Sequence, residues 1–204
     1  GPTAAAVAGR VLMEFTEGPV GREVVDNTGP WLDVAAKVVR ATTGQLVWDY
    51  SEDGFFTVDT PGTKGVVGYT GGRTHELGEV RITTDNPFAN IYVTAMGETE
   101  TIADAKRLLV TTVARMVDQG VRFDAFSDRP LADVPPKTGP LLVEPVRATI
   151  GLEGRKSATV YALDHDGCKP ADAKPLPVEI TADGLQFTAD GARTKAVYYL
   201  VELP

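Results

Sequence analysis

Short runs of β-branched and aromatic residues recur along almost the whole chain. Each is closed within a few positions by glycine, proline or an Asp/Asn turn, which leaves little room for long packed helices. Valine (25), threonine (23) and glycine (21) make up 69 of the 204 residues, a mixture that favours pleated, half-buried surfaces broken by frequent reversals. Alternation or β-branched runs predict strands over residues 55–59, 77–84, 89–96, 141–150, 157–163, 176–181, 184–188 and 194–203. Asp183-Gly184 and Asp190-Gly191 add turn signals at hairpin spacing. In 55–59, Phe56 and Val58 share one face and Thr57 and Asp59 the other. Pro61 ends the pairing, and Asp59 is expected to accept a local bond from the turn backbone.

Two segments carry mixed signals. Residues 101–106 look helical, but Leu108, Leu109, Val110, Thr111, Thr112 and Val113 follow, and β-branched side chains lose χ1 freedom in a helix. A long strand over 107–116 is therefore expected. Residues 31–43 also permit a short helix with Trp31, Ala35 and Val38 on one side. Many short strands without alternating helices predict an all-β antiparallel β-sandwich, jelly-roll or immunoglobulin-like, either single or as two packed sub-sandwiches. The clearest boundary is the stretch with Pro135, Pro136 and Pro140, where amide donors are missing. It separates a larger β-sandwich region, 1–134, from a smaller hairpin-rich region, 141–204, which either stands apart or completes the same sandwich. Residues 1–30 match no pattern, and the opening Gly1-Pro2 looks like the scar of a cut tag.

Formal net charge is −8 with a sequence pI near 4.8, which makes nucleic acid and anionic membrane surfaces poor default partners. No apolar stretch approaches the ~18 residues of a membrane span, so no membrane insertion is expected. The lone cysteine, Cys168, forms neither an internal disulfide nor a multi-cysteine zinc site. Chemistry is thinly equipped. The glycine run from Gly65 to Gly72 fits no phosphate-binding pattern and reads as a strand entering a turn. Ser51, Ser127 and Ser157 sit in no nucleophile elbow. Cys168 and His165 share a turn with no third group to orient the imidazole, so a solvated hairpin tip is the simpler reading. Asp164 and Asp166 begin like a calcium loop, but Lys169 and Pro170 stand where oxygen donors should follow and no glutamate closes it; Asp172 is the only further donor in reach. Glu14, Glu17, Glu144 and Glu153 are carboxylates without an assigned role, since chance alone places some pair at glycosidase spacing. No cofactor is expected.

The aromatic residues say more. Trp31, Trp48, Tyr50, Phe55, Phe56 and Tyr69 crowd one segment. Sugar C–H faces stack on flat rings while hydroxyls bond neighbouring polar groups. Trp48 alternates with Val47 and reads as packing. Trp31, after Gly29-Pro30, is the better candidate for an exposed carbohydrate-binding platform. Tyr69, Arg73 and His75 surround the Gly71-Gly72 turn and are candidate polar partners.

Several strings resemble a known family. They are the stretch from Thr43 to Asp49, from Phe56 to Lys64, from Arg107 to Arg115, from Leu141 to Val146, and from Val160 to Asp164. In this order they resemble the non-catalytic C-terminal β-sandwich region of large bacterial glycoside-hydrolase-like proteins, which follows a (β/α)8 catalytic barrel. The resemblance spans about residues 40–165 and rests on strand and turn segments. It implies a secreted or cell-surface parent acting on polysaccharide, with its catalytic carboxylates on a barrel outside this chain, and carries no catalytic residue over. The expected function is thus a non-enzymatic accessory module that contacts glycan or braces a neighbouring catalytic domain. A structural or oligomerisation module acting through protein–protein contacts is the alternative, and a hydrolase with an unrecognised carboxylate pair the third reading.

Overall fold

The structure, a computed structural model, describes residues 8–9, 29–97, 100–119 and 140–204. Sixteen strands and one short helix lie wholly among them. In chain order they are β1 (Leu32–Asp33), β2 (Val38–Arg40), β3 (Leu46–Asp49), β4 (Phe55–Asp59), β5 (Thr63–Gly68), β6 (Arg73–Leu77), β7 (Val80–Thr84) and β8 (Ala89–Ala95). There follow β9 (Arg107–Val113), β10 (Met116–Asp118), β11 (Leu141–Val143), β12 (Arg147–Glu153), β13 (Thr159–Ala162), β14 (Val178–Ile180), β15 (Gly184–Asp190), α1 (Gly191–Thr194) and β16 (Tyr198–Glu202). A nine-stranded sheet runs in the order β1-β2-β3-β4-β5-β8-β9-β16-β13, and a five-stranded sheet in the order β14-β15-β12-β7-β6. β10 and β11 make a separate two-stranded ribbon, and every named pair is antiparallel. The two large sheets pack as the expected β-sandwich.

Alternation explains the packing. In β8, Ala89, Ile91, Val93 and Ala95 are buried while Asn90, Tyr92 and Thr94 point to the half-buried side. β7 repeats the pattern with Val80, Ile82 and Thr84. From the facing sheet and its neighbours come Leu108, Val110, Ala148, Ile150, Leu152, Leu185, Phe187, Tyr199 and Val201, all in one core cluster. Each fully buried aliphatic side chain of this kind contributes about 1.5–3 kcal/mol by leaving water. Residues 141–204 feed both layers: β12 pairs with β7, and β16 pairs with β9. Apart from Pro140, the proline-rich boundary lies outside the described residues.

Five local expectations change. The strand expected over 77–84 is the end of one strand, a turn and the whole of the next. Gly78 takes a left-handed φ of +56° and reverses the chain between β6 and β7. The helix permitted over 31–43 is the β1–β2 hairpin, whose turn is held by Asp33 Oδ1 accepting from the Ala36 N–H at 2.9 Å. The long strand over 107–116 stops at Val113, and Met116 opens β10 in a different sheet. Likewise 141–150 breaks before Val146, with β11 and β12 in different sheets. Asp183-Gly184 does close the β14–β15 hairpin, but Asp190 caps α1 instead, accepting from the Arg193 N–H at 3.2 Å, and α1 carries the chain across to the opposite sheet.

The two layers are not equal in width. β6 packs against β4 and β5, and β7 against β5 and β8. The nine-stranded sheet therefore runs past the edge of the smaller one, and β1, β2 and β3 form an overhang. A second, small cluster supports it: buried Ala8, Leu32 and Val39 with Trp31, Trp48 and Tyr50 packed around them.

Candidate functional site

A shallow hollow of about 210 Å³ opens where the overhang meets β6, the edge strand of the five-stranded sheet. Three chain reversals build it. The turn before β4 presents Glu52 and Asp53, and Gly54 bends it with a φ of +82°. The turn after β5 presents Tyr69 and Gly71, and Pro87 closes the third side. Gly68 makes the first two turns meet: its φ is +118°, and a Cβ there would stand 2.9 Å from the Gly54 carbonyl oxygen. Into that approach Tyr69 donates its N–H to the same carbonyl at 3.0 Å.

Tyr69 is 47% exposed, and its ring is fixed edge-to-face against Phe88 at 5.5 Å. Arg73 donates from Nη2 to Glu52 Oε2 at 2.8 Å and lies 5.2 Å from the centroid of Phe55. Tyr69 and Arg73 thus line one hollow, as their sequence neighbourhood suggested. His75 does not line it. The β6 alternation turns His75 inward, where it is 7% exposed and packs edge-on to Phe55 at 5.0 Å. Burial pushes its pKa below the ordinary 6.5, a main-chain hydrogen bond to Thr70 partly opposes this, and Arg73 lowers it further.

Trp31 stands elsewhere. It lines a separate concavity of about 640 Å³ on the overhang with Asp33, Val34 and Arg40. Half-buried, it packs on the small cluster rather than standing free. Trp48 packs as expected, stacked on Phe56 at 5.3 Å with the planes 2° apart. A third groove, about 390 Å³, crosses the five-stranded sheet between Arg147, Thr149, Gln186 and Arg193 on one side and Leu176, Pro177 and Val178 on the other. Its ring, Phe187, is only 3% exposed and belongs to the core.

The remaining candidates are tied into structure. Asp164 Oδ1 accepts the N–H groups of Asp166 (3.0 Å) and Cys168 (2.8 Å), making the hairpin tip a tight Asx turn beneath the exposed thiol. Among the described residues no group of three or more His, Cys, Asp or Glu is placed to hold a metal. Glu144 pairs with Arg115 at 2.8 Å and Glu153 with Arg81 at 3.1 Å, while Glu14 and Glu17 lie outside the described residues. Asp59 does not serve the turn. It pairs with Lys64, which also reaches Glu79 at 3.4 Å, and the turn bond comes from Thr60 Oγ1 accepting the Thr63 N–H at 2.9 Å. No helix among the described residues is long and apolar enough to cross a membrane.

Three residues of the hollow carry no strong signal in the sequence. Phe55 reads as one more strand aromatic, and Glu52 and Asp53 as surface acids. The Asp53-Gly54 dipeptide just before an aromatic strand is the one local hint of a shaped turn. No family model, no curated protein and no solved structure matches this chain.

Proposed function

We propose that this chain is a non-catalytic β-sandwich accessory module of a bacterial, glycoside-hydrolase-like protein, secreted or displayed at the cell surface, and that it contacts glycan at the Tyr69–Arg73 hollow. The observation that carries this reading is the exposed Tyr69 ring, braced by Phe88, beside the Arg73–Glu52 pair and the carboxylate of Asp53. A sugar ring offers C–H groups to the aromatic face and hydroxyls to the carboxylates and guanidinium, and this hollow sets both kinds of group side by side. Its size falls below the ~300–1,000 Å³ of sites that enclose small molecules. One sugar ring or a chain end fits it, with affinity near the millimolar level, about −4 kcal/mol. Retardation in gels cast with soluble polysaccharides tests the reading. Mobility should fall on at least one glycan, and Tyr69→Ala should restore it while leaving the circular dichroism spectrum intact. Equal retardation of wild type and Tyr69→Ala would remove the hollow from the account. In that event Trp31→Ala tests the overhang concavity in the same gels.

A second reading has its own observation. On the β10–β11 ribbon Met116, Leu141, Leu142 and Val143 are between 42% and 56% exposed, a run of apolar side chains of the kind that marks contact surfaces. A structural or oligomerisation module, or one that braces a catalytic neighbour, would use it. Light scattering separates the two. An oligomer that becomes monomeric in the double variant Leu141→Ser, Leu142→Ser, with no glycan response, favours the assembly reading.

A further inference from the structure

His75 of β6 sits where the edge of the five-stranded sheet packs against β4 of the nine-stranded one. Phe55 of β4 meets its edge at 5.0 Å, and Arg73, two residues earlier in β6, lays its guanidinium over the same Phe55 at 5.2 Å. Phe55 and Arg73 are both walls of the hollow. The imidazole Nε2 is buried without a hydrogen-bond partner, and so is Oγ1 of Thr70 in the turn that leads into β6. A ring in that state tolerates burial only while neutral. Imidazolium would bring a second charged N–H into a place that offers it no acceptor.

We propose that His75 makes the hollow acid-responsive: protonation of its imidazole drives Phe55 and Arg73 apart and opens the joint between β4 and β6. This is regulation of the site proposed above and rests on that reading for its meaning, although the opening itself occurs with or without a ligand. The groups around His75 give the cation no counter-charge. Arg73 is itself positive, and its partner Glu52 is engaged at 2.8 Å. Phe55 from β4 and the cross-strand partner Ile82 from β7 are apolar. Further along the joint, β5 adds Lys64, a second cation already held by Asp59 and Glu79. The Thr70 main-chain bond alone favours the charged ring, and burial and Arg73 act against it.

The sign follows from proton counting. With its native pKa lowered, the closed joint binds fewer protons than the open one once pH falls below the ordinary 6.5. Closure is therefore fully supported above that value and weakens as the solution becomes more acidic. The open fraction grows by about tenfold per pH unit until the closed-state ring itself titrates.

Amide hydrogen exchange on the ligand-free protein, corrected for intrinsic pH dependence, reads this directly. Between pH 7.5 and pH 5, protection at Phe55, Gly68, Arg73 and Thr74 should be lost progressively as the pH drops below the ordinary 6.5, while Val110 and Val201 in the core keep theirs. The variants His75→Leu and His75→Gln should both flatten that pH dependence. An unchanged joint at pH 5, or the same acid loosening in both variants, overturns the proposal, the latter because His75 would then not be the group that responds. Gel retardation on hydroxyethylcellulose at pH 7.5 tests glycan contact separately, so failure of one reading is distinguishable from failure of the other.

Discussion

The double-layered part of the molecule and the overhang are made from the same kind of strand, yet they are held by different means. Between the sheets, Val80, Ile82, Ile91, Val93, Val110, Ile150 and Val201 are all fully buried, and each is backed by side chains from the opposite layer. In the small cluster of the overhang Ala8, Leu32 and Val39 are buried, and the larger residues around them, Trp31, Trp48 and Tyr50, keep part of their surface in water. A strand in the sandwich is thus fixed through a shared core, whereas β1, β2 and β3 hold through backbone pairing and ring contacts. Local opening free energies follow burial and contact density, so the overhang belongs at the low-stability end. The hollow lies on the boundary between the two regimes. There one side of a site moves more easily than the other, and closure of the joint is a separate event from folding.

The largest effect that tests this contrast comes from the core. Ile150 is fully buried in the central strand of the five-stranded sheet and faces both Ile82 and Phe187 across its neighbours. Ile150→Ala leaves a cavity and should cost about 2–5 kcal/mol, lowering the melting temperature by roughly 4–20 °C for a chain of this size. Every probe, overhang and core alike, should move together. On the overhang, Trp48→Ala removes the stack on Phe56 and the tilted contact with Tyr50 at 4.9 Å. Its expected cost is smaller, about 1–2 kcal/mol, and it should appear as faster amide exchange in β2 and β3 with little change in β9 or β16. A Trp48→Ala variant that loses core protection equally would show the overhang and the sandwich to be one cooperative unit, and the contrast would collapse.

The sandwich was legible in the sequence because its strands obey a two-residue period. Ala89, Ile91 and Val93 against Asn90, Tyr92 and Thr94 point to one buried face without any knowledge of the partner strand. The same rule misled where a turn happened to preserve it. Leu77, Glu79, Arg81 and Thr83 alternate with Val80 and Ile82 across Gly78, so two strands look like one; the left-handed glycine marks the reversal. Asp190-Gly191 shows the converse. An Asp-Gly pair suits a hairpin turn and also a helix cap, and the choice is made by Val146, whose carbonyl accepts the Gly191 N–H at 2.8 Å from a distant part of the chain. The site was half legible. Tyr69 and Arg73 are near neighbours in sequence and in space. The inward turn of His75 depends on which face of β6 packs against β4 and β5, and Trp31 lies in another concavity because the β1–β2 hairpin carries it to the far end of the sheet. Neither placement has a local signature, since both follow from strand order.

The smallest expected change in stability is also the sharpest test of where function sits. Tyr69 leaves nearly half its surface in water and touches the rest of the protein chiefly through the edge of Phe88. Tyr69→Ala forfeits that ring contact, worth about 0.5–1.5 kcal/mol, and little else. Its backbone role, the N–H bond to the Gly54 carbonyl, survives the substitution. The melting temperature should therefore fall by no more than roughly 6 °C, and exchange in β4 and β6 should stay close to wild type. If glycan contact disappears from this variant while the joint keeps its protection, binding resides in the exposed ring and the joint serves only to present it. A collapse of β4 and β6 protection in the same variant would mean that Tyr69 is part of the seam between the two regions, and its exposed face would need no ligand to explain it.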